Sequence, residues 1–220
     1  MVSRATVPAM RCKALLLDLD GVLADTEPIH SRAWEMVLAE MGASPIADEW
    51  PRLVGTPASE IARYVANTLA HGVSAEELLE RKRLTFRRLL PIYLRPFQGL
   101  AEELENWRAI PIALATSGAR AEALLMLDMT GLRGMFSAFV AFEDVPRAKP
   151  APDCYLRAAE LLDTPPADCA AVEDSPRGLQ AALAAGTIAL AVPPAADSPL
   201  PSGASGAFPT TVEALRWLRE

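Results

Sequence analysis

The apolar positions along the chain change their period several times, and each change marks an element. In "KALLLDL" the residues Leu15, Leu16 and Leu17 form an unbroken run, which predicts a strand over 13–19 covered on both faces. "ADTEPIHSRAWEMVLAEMG" then turns to helical spacing, with Ile29, Trp34, Val37, Leu38 and Met41 on one face. Pro28 suits the first turn, Asp25 or Thr26 the cap, and Gly42 the stop. Helical patterns continue to about Leu90. "GTPASEIARYVANTLAHG" offers Thr56 as N-cap, Pro57 at the first helical position and Gly72 at its end. "SAEELLERKRLTFRRLLP" carries a Ser74/Glu77 capping box and is expected to stop at Pro91. No strand-like run interrupts this stretch. It reads as an all-helical insertion over 27–96, left through "YLRPFQG".

Beyond it the pattern alternates. Strands are expected over 110–116, 136–142, 169–174 and 187–192, with helices over 119–129, 153–162 and 176–185. The fold class this predicts is α/β: a Rossmann-like parallel sheet with helices on both faces, built from 1–26 and 97–220, with the all-α cap domain inserted at 27–96. "PPAADSPLPSGASGAFP", 193–209, reads as a mobile surface loop. Thr210 and Glu213 form a capping box for a last helix. Residues 1–10 read as a loose leader.

Composition adds mainly exclusions. Of 220 residues, 51% are hydrophobic and 22% charged, as in ordinary soluble domains. The net charge of -7 argues against wholesale binding to nucleic acid or an anionic membrane. The three cysteines, Cys12, Cys154 and Cys169, are odd in number and form no CxxC pair. They argue against a disulfide framework or a thiolate metal site and suit a reducing cytoplasm. The apolar run before Asp18 is too short for a signal-peptide core or a membrane helix. The expectation is a cytoplasmic protein with no obligate protein partner.

The chemistry gathers where predicted strands end, which is where ligands bind in an open parallel sheet. The first strand leads to Asp18 and Asp20, the second to Thr116 and Ser117, the third to Lys149, and the fourth to Glu173 and Asp174. Asp18, Asp20 and Asp174 can share a divalent cation. Their hard oxygens, without a His or Cys cluster, favour Mg²⁺. An acidic site with a neighbouring lysine suits a phosphoryl group, whose phosphorus a carboxylate can attack. Each residue also has a plainer reading. Asp18 and Asp20 could be turn residues, Thr116 could cap the next helix, Lys149 could be a solvated loop lysine, and Glu173 and Asp174 could cap the helix opened by Ser175 and Pro176.

Four stretches, "DLDGVLADTE", "ATSG", "AKPAPD" and "VEDSPRG", resemble the four motifs of the haloacid dehalogenase superfamily. The resemblance is to its phosphatase and β-phosphoglucomutase-like branch, which has a helical cap inserted after the first motif. It implies a phosphatase acting on a small phosphorylated metabolite such as a sugar phosphate. Asp18 would be the nucleophile, and Asp20 would protonate the leaving oxygen and then activate water. Thr116, Ser117 and Lys149 would hold the phosphoryl group. Asp174, the Asp18 carboxylate and the Asp20 carbonyl would hold Mg²⁺, with Glu173 acting directly or through water. One departure is Ala148, where this branch often has Gly.

In the helical insertion the resemblance points to His30, which in β-phosphoglucomutase-like members contacts substrate. Read alone, His30 is a structural helical histidine. Arg52 and Thr56 lie in "RLVGTPASE" and Arg63 follows it; Thr56 reads as a cap residue, and the arginines as surface charges, one of which could reach a second anionic group. The alternative function is a phosphosugar mutase using the same aspartyl phosphate. Its pattern places cations where this chain has Val54 and Ala58, which favours hydrolysis. A phospho-acceptor signalling domain also gathers acids, a hydroxyl and a lysine at strand ends, but it is shorter and lacks the insertion.

Overall fold

The computed structural model describes residues 11–42, 53, 56–68, 72–192 and 202–220. The chain divides into two compact units, Met1–Ala24 with Pro96–Glu220, and Asp25–Arg95.

The first unit is a parallel sheet of six strands: β1 Ala14–Leu17, β2 Ile112–Ala115, β3 Ala138–Val140, β4 Cys169–Glu173, β5 Ile188–Ala191 and β6 Gly206–Ala207, in the order β3-β2-β1-β4-β5-β6. β1 lies at the centre, paired with β2 through Leu17↔Leu114 and with β4 through Leu17↔Val172. That position explains its unbroken apolar run, since Leu15, Leu16 and Leu17 are fully buried. Helices α4 Leu100–Glu105, α5 Arg120–Thr130, α6 Asp153–Leu161 and α7 Pro176–Ala184 lie in the connections between strands, and α8 Thr211–Arg219 follows β6. Alanines in the strands (Ala113, Ala115, Ala171, Ala189) and in the helices (Ala158, Ala159, Ala181, Ala182) share one core cluster with Tyr155 and Leu16. Small side chains at such a contact let helix and sheet approach closely.

The second unit is helical among its described residues, with α1 Glu27–Glu40, α2 Ala58–Thr68 and α3 Ala75–Tyr93. Trp34, Val37 and Leu38 of α1 pack with Ile61, Ala62 and Val65 of α2 and with Leu78 of α3.

Several expectations change in detail. The strands are shorter than the apolar runs, because pairing ends before burial does. Phe142, expected in a strand, begins a short 3₁₀ turn to Asp144 and is 56% exposed. Pro91 does not stop α3, which runs on to Tyr93. A proline so near the end removes one donor, and the Leu94 N–H still bonds Leu90 O at 2.9 Å. Helix α2 begins at Ala58, one residue later than Thr56 as N-cap requires; the Thr56 N–H instead donates to Leu53 O at 2.9 Å. Thr26 is the N-cap of α1 without a side-chain capping bond. The loop expected over 193–209 contains β6, whose flanking amides of Ser205 and Phe208 donate to Ala189 O and Ala191 O, each at 2.8 Å. A Gly-Ala pair carries no period-two apolar signal. Residues 193–201 of that loop lie outside the described residues, as do 1–10.

Candidate active site

The register of the sheet brings the acids together. Leu17 is level with Val172, so the next residues, Asp18 and Glu173, leave neighbouring strands side by side, and the Asp18 N–H donates to Val172 O at 3.2 Å. Asp174 follows. Ligand oxygens of Asp18, Glu173 and Asp174 all lie within 4.8 Å of one another. β2 delivers Thr116 beside this group, its N–H bonded to Val140 O at 3.0 Å.

Lys149 arrives from the segment before α6 and is buried. Its Nζ donates to Asp18 Oδ1 at 2.6 Å, Glu173 Oε1 at 2.5 Å and Ala115 O at 2.9 Å, and it lies 3.3 Å from Tyr155 Oη. Three hydrogens thus have three close acceptors. Tyr155 Oη donates to the same Glu173 Oε1 at 2.5 Å. The other carboxylate oxygen, Oε2, accepts from Ser175 Oγ at 3.2 Å. Arg177 reaches back to bond the main-chain carbonyl of Lys149 at 3.0 Å, which ties the two loops. Ala148 has no positive φ, since Asp163 is the one such non-glycine among the described residues, so alanine there costs nothing.

Two glycines have a steric reason. Gly21 has φ of +69°, and a Cβ on it would stand 2.0 Å from Asp174 Oδ2. A Cβ on Gly178 would stand 2.0 Å from the Glu173 carboxylate. The glycines of "DLDG" and "SPRG" are the space that the acids occupy.

Electrostatically the cluster is short of positive charge. Burial pushes the Asp18 carboxyl up to about 8, with Glu173 and Asp20 adding to the shift against the pull of Lys149. Burial also pushes Asp174 up to about 9, reinforced by Asp18, Glu173 and Asp20. Burial opposes the charge on Lys149, but Asp18 and Glu173 outweigh it and hold the ammonium well above the usual lysine range. The carboxylates of Asp18, Glu173 and Asp174, gathered beside one ammonium, are a donor set that a hard divalent cation fits. Burial pushes the Cys154 thiol up to about 12, which makes it inert.

Thr116 does not cap the next helix. Its Oγ1 accepts from the Gly118 N–H at 3.0 Å, while the N-terminal amide of α5, at Arg120, donates to Glu143 at 3.0 Å. Ser117 is exposed and Asp20 half-buried. In the helical unit His30 is half-buried, stacks on Phe86 with centroids 4.2 Å apart, and has its Nδ1 2.6 Å from Lys82 Nζ. Thr56 is half-buried, and Arg52 and Val54 lie outside the described residues. Sequence reasoning missed Lys82, Arg177 and Tyr155. Lys82 is buried within an otherwise charged helix, and the run "ERKRLTFRR" gives no sign of which cation turns inward.

The chain is similar to several known proteins. A family model described as haloacid dehalogenase-like hydrolase matches residues 12–186. The chain is 33% identical over 183 residues to the fructose-1-phosphate phosphatase of Escherichia coli, covering 83% of this chain and 97% of that one. It is 34% identical over 190 residues to the beta-phosphoglucomutase of Bacillus subtilis, covering 82% and 83% respectively. The structure of CbbY from Rhodobacter sphaeroides in complex with phosphate superposes with a TM-score of 0.82 at 27% identity, covering 92% of this chain and 96% of that one.

Proposed function

The chain belongs to the haloacid dehalogenase-like hydrolases, and from that premise we propose that it is a Mg²⁺-dependent phosphatase that hydrolyses a small phosphorylated sugar through a phosphorylated Asp18. The observation that carries the reading is the Asp18 carboxylate, seated at the end of the central strand, bonded by Lys149 at 2.6 Å and within ligand distance of Asp174. The relatives named as phosphatases support the reaction, and the fructose-1-phosphate phosphatase supports the substrate class.

In this reading an Asp18 oxygen attacks phosphorus, the bond from phosphorus to the sugar oxygen breaks, and Asp20 gives its proton to that leaving oxygen. Asp20 then takes a proton from water as the water attacks the same phosphorus, which frees phosphate and restores Asp18. Lys149, Thr116 and the amides around Ser117 neutralise and orient the phosphoryl oxygens. Asp18, Asp174 and the Asp20 carbonyl would hold Mg²⁺, which when bound supplies positive charge to the phosphoryl oxygens. His30, and with it Arg52 and Thr56, are assigned to substrate choice in the helical unit.

A screen of sugar phosphates with Mg²⁺, scored for released phosphate, tests this function. Release from a hexose or pentose phosphate is expected; no release from any member would reject it. One observation favours the mutase reading: Lys82 puts a cation beside His30, although Ala58 still stands where the mutase pattern has one. Incubation with glucose 1-phosphate and a trace of the bisphosphate separates the two. Hydrolysis predicts free phosphate, whereas a mutase would give glucose 6-phosphate with little phosphate. The cytoplasmic location stays part of the proposal; no helix among the described residues is long and apolar enough to cross a membrane.

A further inference from the structure

Tyr155 is fully buried on α6, on the face that packs against the sheet. By spacing alone it is a core aromatic. Its hydroxyl, however, is not spent on the core. It donates to Glu173 Oε1 at 2.5 Å, the same oxygen that accepts from Lys149 at 2.5 Å, and it lies 3.3 Å from the Lys149 Nζ. The ammonium also sits over the Tyr155 ring, 4.9 Å from its centroid. Glu173 therefore has one oxygen held by two donors and the other facing Ser175.

We infer that Tyr155 is a positioning residue of the proposed phosphatase site: its hydroxyl holds Glu173 turned toward Lys149, so that Glu173 serves as the fixed counter-charge of the phosphate-binding lysine and the cation is left to Asp18 and Asp174. The argument is one of saturation. Oε1, with two short donors, has no strong lone pair left for an ion, and Oε2 is engaged by the Ser175 hydroxyl at 3.2 Å and the Ser175 N–H at 3.5 Å. Phenylalanine would fill the same space, so the hydroxyl is the only group whose loss changes the chemistry. Without it Glu173 loses the donor that fixes its rotamer, and Lys149 loses the fixed partner that aims it. The consequence falls on phosphate and not on the cation. This inference rests on the reading of the site given above.

The test is calorimetry on the full chain, with Mg²⁺ alone and then with inorganic phosphate at saturating Mg²⁺, for the wild type, Tyr155→Phe and Glu173→Gln. We expect Tyr155→Phe to weaken phosphate roughly tenfold, the cost of one charge-assisted hydrogen bond, with Mg²⁺ affinity unchanged. Glu173→Gln should show the same split, and it serves as the second variant if the first does not fold. Unchanged phosphate affinity in a folded Tyr155→Phe would overturn the inference. A matching fall in Mg²⁺ affinity in either variant would overturn it too, because Glu173 would then be a ligand of the ion. A wild-type chain that binds neither probe would reject the proposed function and this inference with it.

Discussion

Lys149 Nζ donates to Asp18 Oδ1 at 2.6 Å across 131 positions of sequence, and both groups are buried. The pair compensates charge, and in the proposed reaction the ammonium would hold one oxygen of the nucleophile beside the phosphoryl group. Replacing Lys149 by Met should leave Asp18 and Glu173 buried without their cation. We expect a loss of about 2–4 kcal/mol, moderated because the carboxyls can take up protons. Urea unfolding at neutral pH measures it; an unchanged midpoint would show that the pair contributes no net stability.

Asp18→Asn should preserve the fold and abolish turnover. The amide still accepts from Lys149 but cannot attack phosphorus. Asparagine has nearly the same shape and keeps the bond from Lys149, so stability should change by about 1 kcal/mol. Phosphate release and far-UV circular dichroism on the same sample check both halves of the statement.

The glycine beneath Glu173 predicts a steric effect. Gly178→Ala places a methyl group 2.0 Å from the carboxylate. The side chain must move, and Lys149 and Tyr155 move with it. Overpacking of this kind costs about 1–3 kcal/mol, and activity should fall more than that loss of fold explains. Wild-type kinetics in a folded Gly178→Ala would mean that Glu173 has room this geometry denies it.

Most of the sheet was legible because its strands are buried on both faces and read as unbroken apolar runs. The expectation that Asp18, Glu173 and Asp174 lie together comes from their places at the ends of neighbouring strands, and the structure brings them together. Other features had no such signal. Tyr155 falls on the apolar face of α6 at helical spacing, so a hydroxyl bonded to a buried carboxylate looks like any core aromatic. Lys82 is one of several cations on α3, and only packing decides that it turns inward beside His30. Helix α4 is six residues long and too short for periodicity to reveal. Its Glu103 is buried and bonded to Trp107 Nε1 and to Arg216 and Arg219 of α8, over a hundred positions away.

Away from the site, Asp144 gives a prediction with a sign. The Arg120 guanidinium holds its carboxyl below the usual range, with the Ala141 N–H helping at 2.7 Å. A depressed folded pKa means that the folded state binds fewer protons than the unfolded one as pH falls. The contribution is full above the ordinary aspartate value of about 4 and is lost as pH falls through the depressed value. Asp144→Asn should cost about 1 kcal/mol at pH 7, a figure already reduced for partial exposure. The difference from wild type should shrink toward zero in urea titrations below about pH 4. A gap that stays constant in acid would remove the charge from the explanation.

Cation binding is expected to appear in stability as well as activity. A hundredfold excess of Mg²⁺ over its dissociation constant adds about 2.7 kcal/mol, a rise in Tm of roughly 5–10 °C at this size. Asp174→Asn should abolish the rise, and a chelator should reverse it. An equal Tm with and without Mg²⁺ would argue against a metal at this cluster.

The central claim is that phosphorus passes through Asp18, and trapping tests it most directly. The Asp20→Asn variant lacks the group that activates water, so the acyl phosphate should accumulate when it is mixed with acetyl phosphate, whose acetate leaves without needing a proton from Asp20. Rapid quenching and mass spectrometry should then find one phosphoryl group on the peptide that contains Asp18, absent when Asp18 is also replaced by Asn. Wild-type turnover of that substrate with no phosphorylated peptide at any quench time in the Asp20→Asn variant, or with the phosphoryl group on another residue, would contradict the account.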